Sequence, residues 1–322
     1  MSSSNAMLRA SLAAALLVSV LNACASSSES NGSPPLSAPQ SWSIVAGGSS
    51  QSEAVQALDF YPNALTIHAG DTVTWSNGTS IPHTVSIPQP GQSPPGGPPN
   101  PAPVGGGTYD GSTYVSSGFI TNGKSYAVTF TKPGTYAYYC IVHLPEMAGT
   151  IVVLPSTAPL PQSAAAAQAA GAADQQSDLD AGAASFSLFP YAVGGTHLAA
   201  GISPGLPGSK PSQATVMRFL DDTTATSTIT IPLGTTVTWT NEANNAPHTV
   251  TFPALGQQPP AGPPDQVPPA GGSTYDGSAL ANSGVMPPGK SYTLTFTKTG
   301  TYTYYCLFHD GPTGMIGTVV VQ

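Results

Sequence analysis

Two short stretches with nearly the same residues stand in the two halves of the chain. Tyr138–Met147 reads YYCIVHLPEM, and Tyr304–Met315 reads YYCLFHDGPTGM. The 322 residues include only three cysteines and six histidines, yet each stretch places a cysteine three residues before a histidine, with a methionine just beyond. Soft thiolate and thioether sulfurs beside imidazole nitrogens are ligands suited to a redox-active transition metal. The two stretches therefore indicate one kind of metal site that occurs twice.

The sequence around these stretches is duplicated as well, which indicates two domains of the same fold. A tryptophan closes a Thr-Val-Thr-Trp segment at Trp75 and again at Trp239, and Pro-His-Thr-Val begins at Pro82 and at Pro247. Further matching segments are Thr108–Ser112 with Thr274–Ser278 (TYDGS), and Gly123–Thr131 (GKSYAVTFT) with Gly289–Thr297 (GKSYTLTFT). Each copy thus adds a histidine far upstream of its cysteine.

The composition and the local patterns predict an all-β protein. Charged residues make up 7% of the chain, against roughly a quarter in typical soluble proteins. Tyr126–Thr131 and Thr135–Cys140 alternate as half-buried strands do, and a Lys-Pro-Gly turn separates them. No segment shows sustained helical periodicity. We expect two tandem Greek-key β-sandwich domains, each with one core.

The predicted domain boundaries follow from composition. The two domains are expected at 41–155 and 184–322. Residues 156–183, rich in Ala, Gln, Pro and Asp, are predicted to form a flexible linker. Residues 25–40 are rich in Ser and Pro and are predicted to be a tether.

The first 24 residues are predicted to be a targeting signal rather than part of the fold. Arg9 is followed by the apolar run Ser11–Leu21, which is too short for a stable membrane anchor. The segment Leu21-Asn22-Ala23-Cys24 resembles a bacterial lipoprotein signal, in which Cys24 would be lipidated and would attach the mature chain to a membrane. Because Asn22 is unusual there, a plain secretory signal is the alternative. Either signal predicts a periplasmic or cell-surface location.

Two further inferences follow from cysteine and charge. Outside the cytoplasm Cys140 and Cys306 could form a disulfide, but each has the same neighbourhood in its own repeat, which favours two separate sites. The net charge is −8, and seven Lys and Arg residues are scattered over the chain. Without a basic patch, nucleic-acid binding is not expected.

The repeated segments resemble the cupredoxin, or blue-copper, family, and most closely its plastocyanin-like branch. The resemblance extends over both domains and implies two copper ions per chain that cycle between Cu(I) and Cu(II), with a redox protein as donor and another as acceptor. The implied copper ligands are His83, Cys140, His143 and Met147 in the first domain, and His248, Cys306, His309 and Met315 in the second.

The resemblance also implies roles around the ligands. His143 and His309 match the solvent-edge histidine through which electrons commonly enter, and Tyr139 and Tyr305 match a residue that leads to a remote docking surface. Two features depart from plastocyanins. The gap from the second histidine to the methionine is three residues in one copy and five in the other, instead of four. Thr84 and Thr249 follow the upstream histidine where plastocyanins carry Asn, so the hydrogen bonds around the ligands are expected to differ.

An enzyme, such as a multicopper oxidase or a copper nitrite reductase, is the main alternative. It would need a further copper held by several histidines, and only His68 and His197 remain outside the two ligand sets. Those two are expected to be solvated surface residues. We therefore predict an electron carrier, acting as a monomer, and not an enzyme. Periplasmic copper binding or storage uses the same ligands and stays open.

The Pro- and Gly-rich inserts Pro88–Gly107 and Pro253–Gly272 are longer than plastocyanins have at this place. They are interpreted either as docking surfaces or as solvated loops. The repeated Tyr-Asp-Gly that follows each insert is predicted to be a structural turn.

Overall fold

The computed structural model of the protein describes residues 37–94, 102–144, 147–188, 197–202, 214–221, 227–244, 246–311 and 314–322. The predicted signal segment 1–24, the lipidation site Cys24 and most of the predicted tether 25–40 lie outside the described residues. Within them, strands dominate both halves of the chain.

The first half contains ten strands. They are β1 (Ser41–Ser49), β2 (Val55–Tyr61), β3 (Ala64–His68), β4 (Thr72–Ser76), β5 (Ser86–Ile87), β6 (Gly107–Tyr109), β7 (Val115–Ser116), β8 (Ser125–Phe130), β9 (Gly134–Tyr139) and β10 (Ala148–Leu154). A helix, α1 (Ala164–Leu188), follows them.

The second half repeats the order of the first. Its strands are β11 (His197–Ile202), β12 (Ala214–Asp221), β13 (Thr228–Ile231), β14 (Thr236–Glu242), β15 (Thr251–Phe252), β16 (Thr274–Tyr275), β17 (Ala281–Asn282), β18 (Ser291–Phe296), β19 (Gly300–Tyr305) and β20 (Ile316–Val321). One turn of 3₁₀ helix, Pro264–Gln266, lies in the second insert.

Each half is a sandwich of two sheets, which confirms the predicted all-β fold. In the first half β2-β1-β4-β8-β6 packs against β3-β10-β9-β5-β7, and in the second half β12-β11-β14-β18-β16 packs against β13-β20-β19-β15-β17. Parallel pairs such as β1 with β4 and β3 with β10 mark Greek-key crossovers rather than simple hairpins. Two large buried clusters, one per half, fill the sandwiches.

Alternation along the strands directs one face of each sheet into the core. In β8, Val128 and Phe130 are buried while the residues between and before them are not. In β9, Tyr138 points inward and meets Trp75 edge-on at 5.2 Å between ring centroids. Tyr304 and Trp239 repeat that contact at 5.4 Å in the second half. In each pair the tyrosine lies two residues before the cysteine and is buried like it. The aromatic pairs therefore fix the position of the strands that lead to the cysteines.

The two halves are joined by a strand pair, which the sequence analysis did not predict. β2 pairs antiparallel with β12, with Val55 opposite Val216 and Ala57 opposite Ala214. One ten-stranded sheet therefore runs through both halves. All seven residues of β2 are buried because both of its faces are covered.

The prediction of a flexible linker at 156–183 is corrected by helix α1. Ser163 accepts a hydrogen bond from the backbone N–H of Ala166 through its hydroxyl, which caps the helix. Ala is the strongest helix former, and small residues let the helix lie close to the sheet. A Cβ on Gly171 would fall 2.7 Å from Cδ of Pro62, and one on Gly182 would fall 3.0 Å from Cβ of Ala214. The segment therefore contains a helix that packs against residues of both halves.

No helix formed by the described residues is long and apolar enough to cross a lipid bilayer.

His68 differs from the prediction of a solvated surface histidine. It ends β3, is buried, and its Nε2 lies 2.7 Å from the carbonyl oxygen of Ala158. His197 is half-buried, with its Nε2 2.6 Å from the Thr240 hydroxyl. Both rings therefore have structural partners within the fold.

The Tyr-Asp-Gly segments form turns, as predicted. The carboxylate of Asp110 accepts hydrogen bonds from the backbone N–H and the hydroxyl of Ser112, and Asp276 does the same with Ser278. The Tyr109 hydroxyl donates to the carbonyl of Pro88 at 2.6 Å, which ties the turn to the start of the insert.

Candidate metal centres

Each half of the chain brings a thiol and two imidazoles together below the surface. In the first half these are Cys140, His83 and His143, and in the second Cys306, His248 and His309. Within each group one donor atom per residue lies within 4.8 Å of the others, and all six residues are buried. These are the histidines and cysteines that the sequence assigned to the two sites.

The upstream histidine is held by a short bridge between strands. His83 exchanges backbone hydrogen bonds with Ile120, N–H to O at 3.2 Å and O to N–H at 2.7 Å. The side-chain amide of Asn77 donates to the carbonyls of Ile81 and Ile120, both at 2.8 Å. Asn241 does the same in the second half, donating to Ala246 and Met286. The two asparagines fix the loop that carries the histidine, and the sequence analysis did not identify them.

The other three residues of each set come from one loop, and the same backbone hydrogen bonds close it in both halves. In the first half the N–H of Cys140 donates to Met147, that of Met147 to His143, and that of His143 to Cys140. The equivalent bonds join Cys306, His309 and Met315. The loops differ in length, yet their framework is the same. The difference is confined to the residues between the histidine and the methionine.

Thr84 and Thr249 complete the hydrogen bonding around the sulfur. The backbone N–H of Thr84 donates to Sγ of Cys140 at 3.4 Å, and its hydroxyl accepts from the N–H of Ile141 at 2.9 Å. Thr249 makes both bonds to Cys306 and Leu307. A threonine therefore links the strand of the upstream histidine to the cysteine loop, where its hydroxyl is the acceptor.

Replacing Thr84 by Val, which keeps its shape but removes the hydroxyl, should destabilise the first site. The N–H of Ile141 would lose its partner, at a cost of about 1–3 kcal/mol in unfolding free energy, and the position of the cysteine would be less well fixed. Chemical denaturation of the apoprotein and the visible spectrum of the copper-loaded protein would both report the change. Thr84→Ser keeps the acceptor and should change neither; a loss of similar size in Thr84→Ser would contradict this role for the hydroxyl.

A glycine with positive φ lies against each upstream histidine. Gly47 (φ +77°) sits at a register shift in β1, and Gly201 (φ +73°) at the equivalent shift in β11. A Cβ on Gly47 would lie 3.0 Å from Cε1 of His83 and closer still to Nε2. Gly201 has the same relation to His248. Neither glycine was recognised from the sequence.

Helix α1 contacts the first of these glycines. The side-chain amide of Gln175 donates to the carbonyl of Gly47 at 2.7 Å. A Cβ on Gly48 would lie 2.9 Å from Cγ of Gln175, so the side chain also packs on the backbone there. The helix therefore supports the wall behind His83.

Gln175→Ala should alter the first site and leave the second unchanged. Loss of the hydrogen bond removes roughly 1 kcal/mol of support from the Gly47 wall, so His83 gains freedom. Copper affinity and reduction potential, resolved for each site, would show the asymmetry. Gln176→Ala is the matched control, because the Gln176 side chain is exposed and donates its hydrogen bond to Asp180 within the helix. Equal changes at both sites in Gln175→Ala would contradict a local supporting role.

Burial fixes the charge state of the donor groups. It lowers the pKa of His143 to about 4 and that of His248 to about 3. It also lowers the pKa of His83 well below its usual range, with a smaller contribution from His143. Burial raises the pKa of the Cys140 thiol, and it raises that of Cys306 to about 12. Near neutral pH each site therefore offers two neutral imidazoles with free lone pairs and a thiol whose proton a cation can replace.

The separations of the donor atoms fit one metal ion per site. Sγ of Cys306 lies 3.6 Å from Nδ1 of His248 and 3.4 Å from Nδ1 of His309, and the two nitrogens are 3.2 Å apart. In the first half the Sγ to Nδ1 distances are 3.8 and 3.4 Å. With metal–nitrogen bonds of about 2.0 Å and a metal–sulfur bond of about 2.3 Å, a trigonal ion would separate such donors by roughly 3.5–3.7 Å.

Met147 and Met315 are fully buried. Their backbones are held next to the cysteine and histidine of each loop by the hydrogen bonds already described. Two imidazoles and a thiolate in a trigonal set, with a weak axial thioether, define a blue-copper site. Cys140 and Cys306 are both free thiols in the structure, each in its own half. This agrees with the inference that they belong to separate sites and do not form a disulfide.

The interpretation of His143 and His309 as solvent-edge residues is corrected. Their exposed fractions are only 3% and 5%. Tyr139 and Tyr305 are half-buried, since alternation along β9 and β19 points the preceding tyrosines into the core.

Comparison with known proteins finds similarity to copper-binding proteins. A model of the copper-binding plastocyanin/azurin family matches residues 48–154 and 213–322. Plastocyanin of Scenedesmus fuscus is 38% identical over 97 residues, which are 30% of this chain and 83% of that protein. Amicyanin of Paracoccus versutus is 29% identical over 99 residues, 31% of this chain and 61% of that protein. Among solved structures, a purple cupredoxin from Nitrosopumilus maritimus aligns with 21% identity and a TM-score of 0.25, over 40% of this chain and 100% of that one.

The fold and the donor sets define a tandem cupredoxin with two copper sites. Because the family model matches more than half of the sequence, once in each half, the chain belongs to the plastocyanin/azurin family of copper-binding proteins.

Proposed function

We propose that this protein carries single electrons outside the cytoplasm on two mononuclear type 1 copper sites. The observation that carries the proposal is the buried convergence of one thiol and two neutral imidazoles beside a methionine, made twice in one chain. Copper bound there supplies a one-electron couple. The proposed ligands are His83, Cys140, His143 and Met147 in the first site, and His248, Cys306, His309 and Met315 in the second.

The protein's own contribution is a rigid, dry frame. The Thr84 and Thr249 bonds, the backbone closure of each loop and the buried aromatic pairs below the cysteines hold the donors in nearly fixed positions. A fixed donor set reduces the rearrangement that accompanies a change of oxidation state. The burial of all donor atoms excludes water as an additional ligand. Both properties suit a carrier whose partners are other redox proteins.

The accounting of histidines supports a carrier rather than an enzyme. Four of the six histidines are in the two donor sets. The remaining rings, His68 and His197, lie within hydrogen-bond distance of Ala158 and Thr240. A catalytic copper of the oxidase or nitrite reductase type would require several imidazoles more. We propose two domains, 41–155 and 184–322, the second of which begins near the C-terminal end of helix α1. We also propose a monomer, since each site draws its whole donor set from one chain.

An absorption spectrum combined with a redox titration tests the function. The copper-loaded protein should contain two coppers per chain, show an intense visible thiolate-to-copper band, and take up two electrons per chain reversibly. Because the two ligand loops differ in length, we expect two distinguishable potentials. A protein that binds two coppers but shows no reversible couple would be a copper store. Oxygen or nitrite consumption above that of free copper would indicate an enzyme.

The extracytoplasmic location and the lipid anchor rest on the N-terminal sequence. Metabolic labelling of cells with palmitate should label the wild-type protein, and Cys24→Ala should abolish the label. Cell fractionation should then place the variant with the soluble proteins. Labelling that persists in Cys24→Ala would rule out lipidation at this residue.

A further inference from the structure

The junction between the two halves is covered differently on its two faces. Alternation along β2 and β12 places Val55 and Val216 on the face that packs against Leu179 of helix α1. Leu58 and Met217 point to the opposite face. There a second cluster forms, which we call the junction cluster. It consists of Leu58, Ile81, Met217, Ala243 and Ala246.

The junction cluster contains the loops that lead into both sites. Ile81 lies two residues before His83, and Ala246 lies two residues before His248. The carbonyls of Ile81 and Ala246 are the acceptors of the asparagine bonds that fix those loops. All five residues of the cluster are at most 4% exposed. Both sites are therefore attached to one dry apolar cluster, on the side of the joined sheet opposite to helix α1.

We propose that the junction cluster is an internal relay, through which electrons pass between the two sites whose His83 and His248 loops it holds together. The relay rests on the proposed electron-carrying function and goes beyond it. When one electron moves from the reduced site to the oxidised site, the site that gives it becomes oxidised and the site that receives it becomes reduced. No bond forms or breaks, and no proton is transferred. The electron comes from the external redox protein that supplies the chain.

The position of the two sites can be measured without any turnover. In the fully oxidised protein, pulsed electron paramagnetic resonance should detect dipolar coupling between two Cu(II) ions of one chain. Cys140→Ser and Cys306→Ser, each with one copper, are the references and should show none. A two-copper spectrum equal to the sum of the two references would overturn the relay.

A charge placed in the junction cluster tests whether the junction matters. Met217→Glu should weaken or abolish the dipolar coupling and slow the internal transfer at least tenfold, with both visible bands retained. Leu233→Glu is the matched control, because Leu233 is 52% exposed, and it should change neither. If Met217→Glu does not fold, the coupling in the wild-type protein still decides the proposal.

Transfer itself is tested by dilution. In protein reduced by one electron per chain, that electron should redistribute between the two sites. The rate constant, measured from freeze-quench spectra with the single-site variants as references, should be unchanged over a tenfold dilution. A rate that falls tenfold would show exchange between chains and would overturn the relay, while the carrier function would stand. Absence of the visible bands and of any reversible couple would instead overturn the carrier function, and the relay with it.

Discussion

Cys140→Ser is expected to reduce the copper content from two ions per chain to one and to remove about half of the visible absorption. Serine has the shape of cysteine but not its soft, strongly donating sulfur, which the blue-copper donor set requires. The second site should persist because its whole donor set lies in the other half of the chain. Copper analysis and the absorption spectrum of the purified variant would measure both effects.

The second half supplies the control for this experiment. Cys306→Ser should leave the first site, and the double variant should bind no copper with a visible band. Since Cys140 and Cys306 have equally buried surroundings, the two single variants should be similarly folded, which circular dichroism can check. Loss of both sites in Cys140→Ser alone would show that the sites are not formed independently.

Gly47→Ala should abolish the first copper site. The new Cβ would overlap with the imidazole of His83, and the ring cannot move away because His83 is fully buried. The positive φ of 77° adds backbone strain, at a cost of roughly 1–2 kcal/mol for a residue with a side chain. We expect loss of one copper per chain, with the second site unaffected.

Gly123→Ala separates the two causes. Gly123 has a φ of +73°, but a Cβ there would meet nothing within 4 Å. It should therefore cost similar stability and leave both coppers bound. Gly201→Ala and Gly289→Ala form the same pair in the second half, with φ of +73° at both positions. Retention of full copper in Gly47→Ala would mean that β1 can shift away from His83.

Much of the site was predictable because its ligands belong to residue types, cysteine and histidine, that are rare in this sequence. The cysteines and histidines of the two stretches occur in the same order in two copies, so their convergence could be inferred from the pattern. The alternation in β8 and β9 similarly predicted two half-buried strands. Strand boundaries shifted by only one residue, as in β9, where Gly134–Tyr139 replaces the predicted Thr135–Cys140.

The supporting residues were harder to predict for physical reasons. Gly47 and Gly201 act through the absence of a side chain, and the strands around them have diverged, so that little more than Ala-Gly is shared. Helix α1 contacts the sheet largely through Ala and Gly, with Leu179 as an isolated large apolar residue against Val55 and Val216. Its sequence therefore lacks the periodic apolar pattern by which an amphipathic helix is recognised.

Neither the burial of His143 and His309 nor the joining of the two halves could be predicted from the sequence. Nothing in the repeat pattern specifies that β2 and β12 pair, because each strand contains polar residues at buried positions, such as Gln56 and Thr215. The repeat pattern therefore predicts two separate sandwiches rather than one continuous sheet. The burial of His68 has a related cause, since its partner, Ala158, lies in the segment that the composition predicts to be a flexible linker.

The pairing of β2 with β12 also bears on why the duplication is kept as one chain. In a single sandwich each of these strands would be an outer edge, with a row of unpaired backbone donors and acceptors open to another molecule. Here each edge is occupied by its counterpart in the other half, and α1 covers the seam. A half released by proteolysis would expose an unpaired edge strand and would tend to pair with further copies. Because the two halves are covalently linked, β2 and β12 of one chain can pair with each other before either of them meets a strand of another molecule.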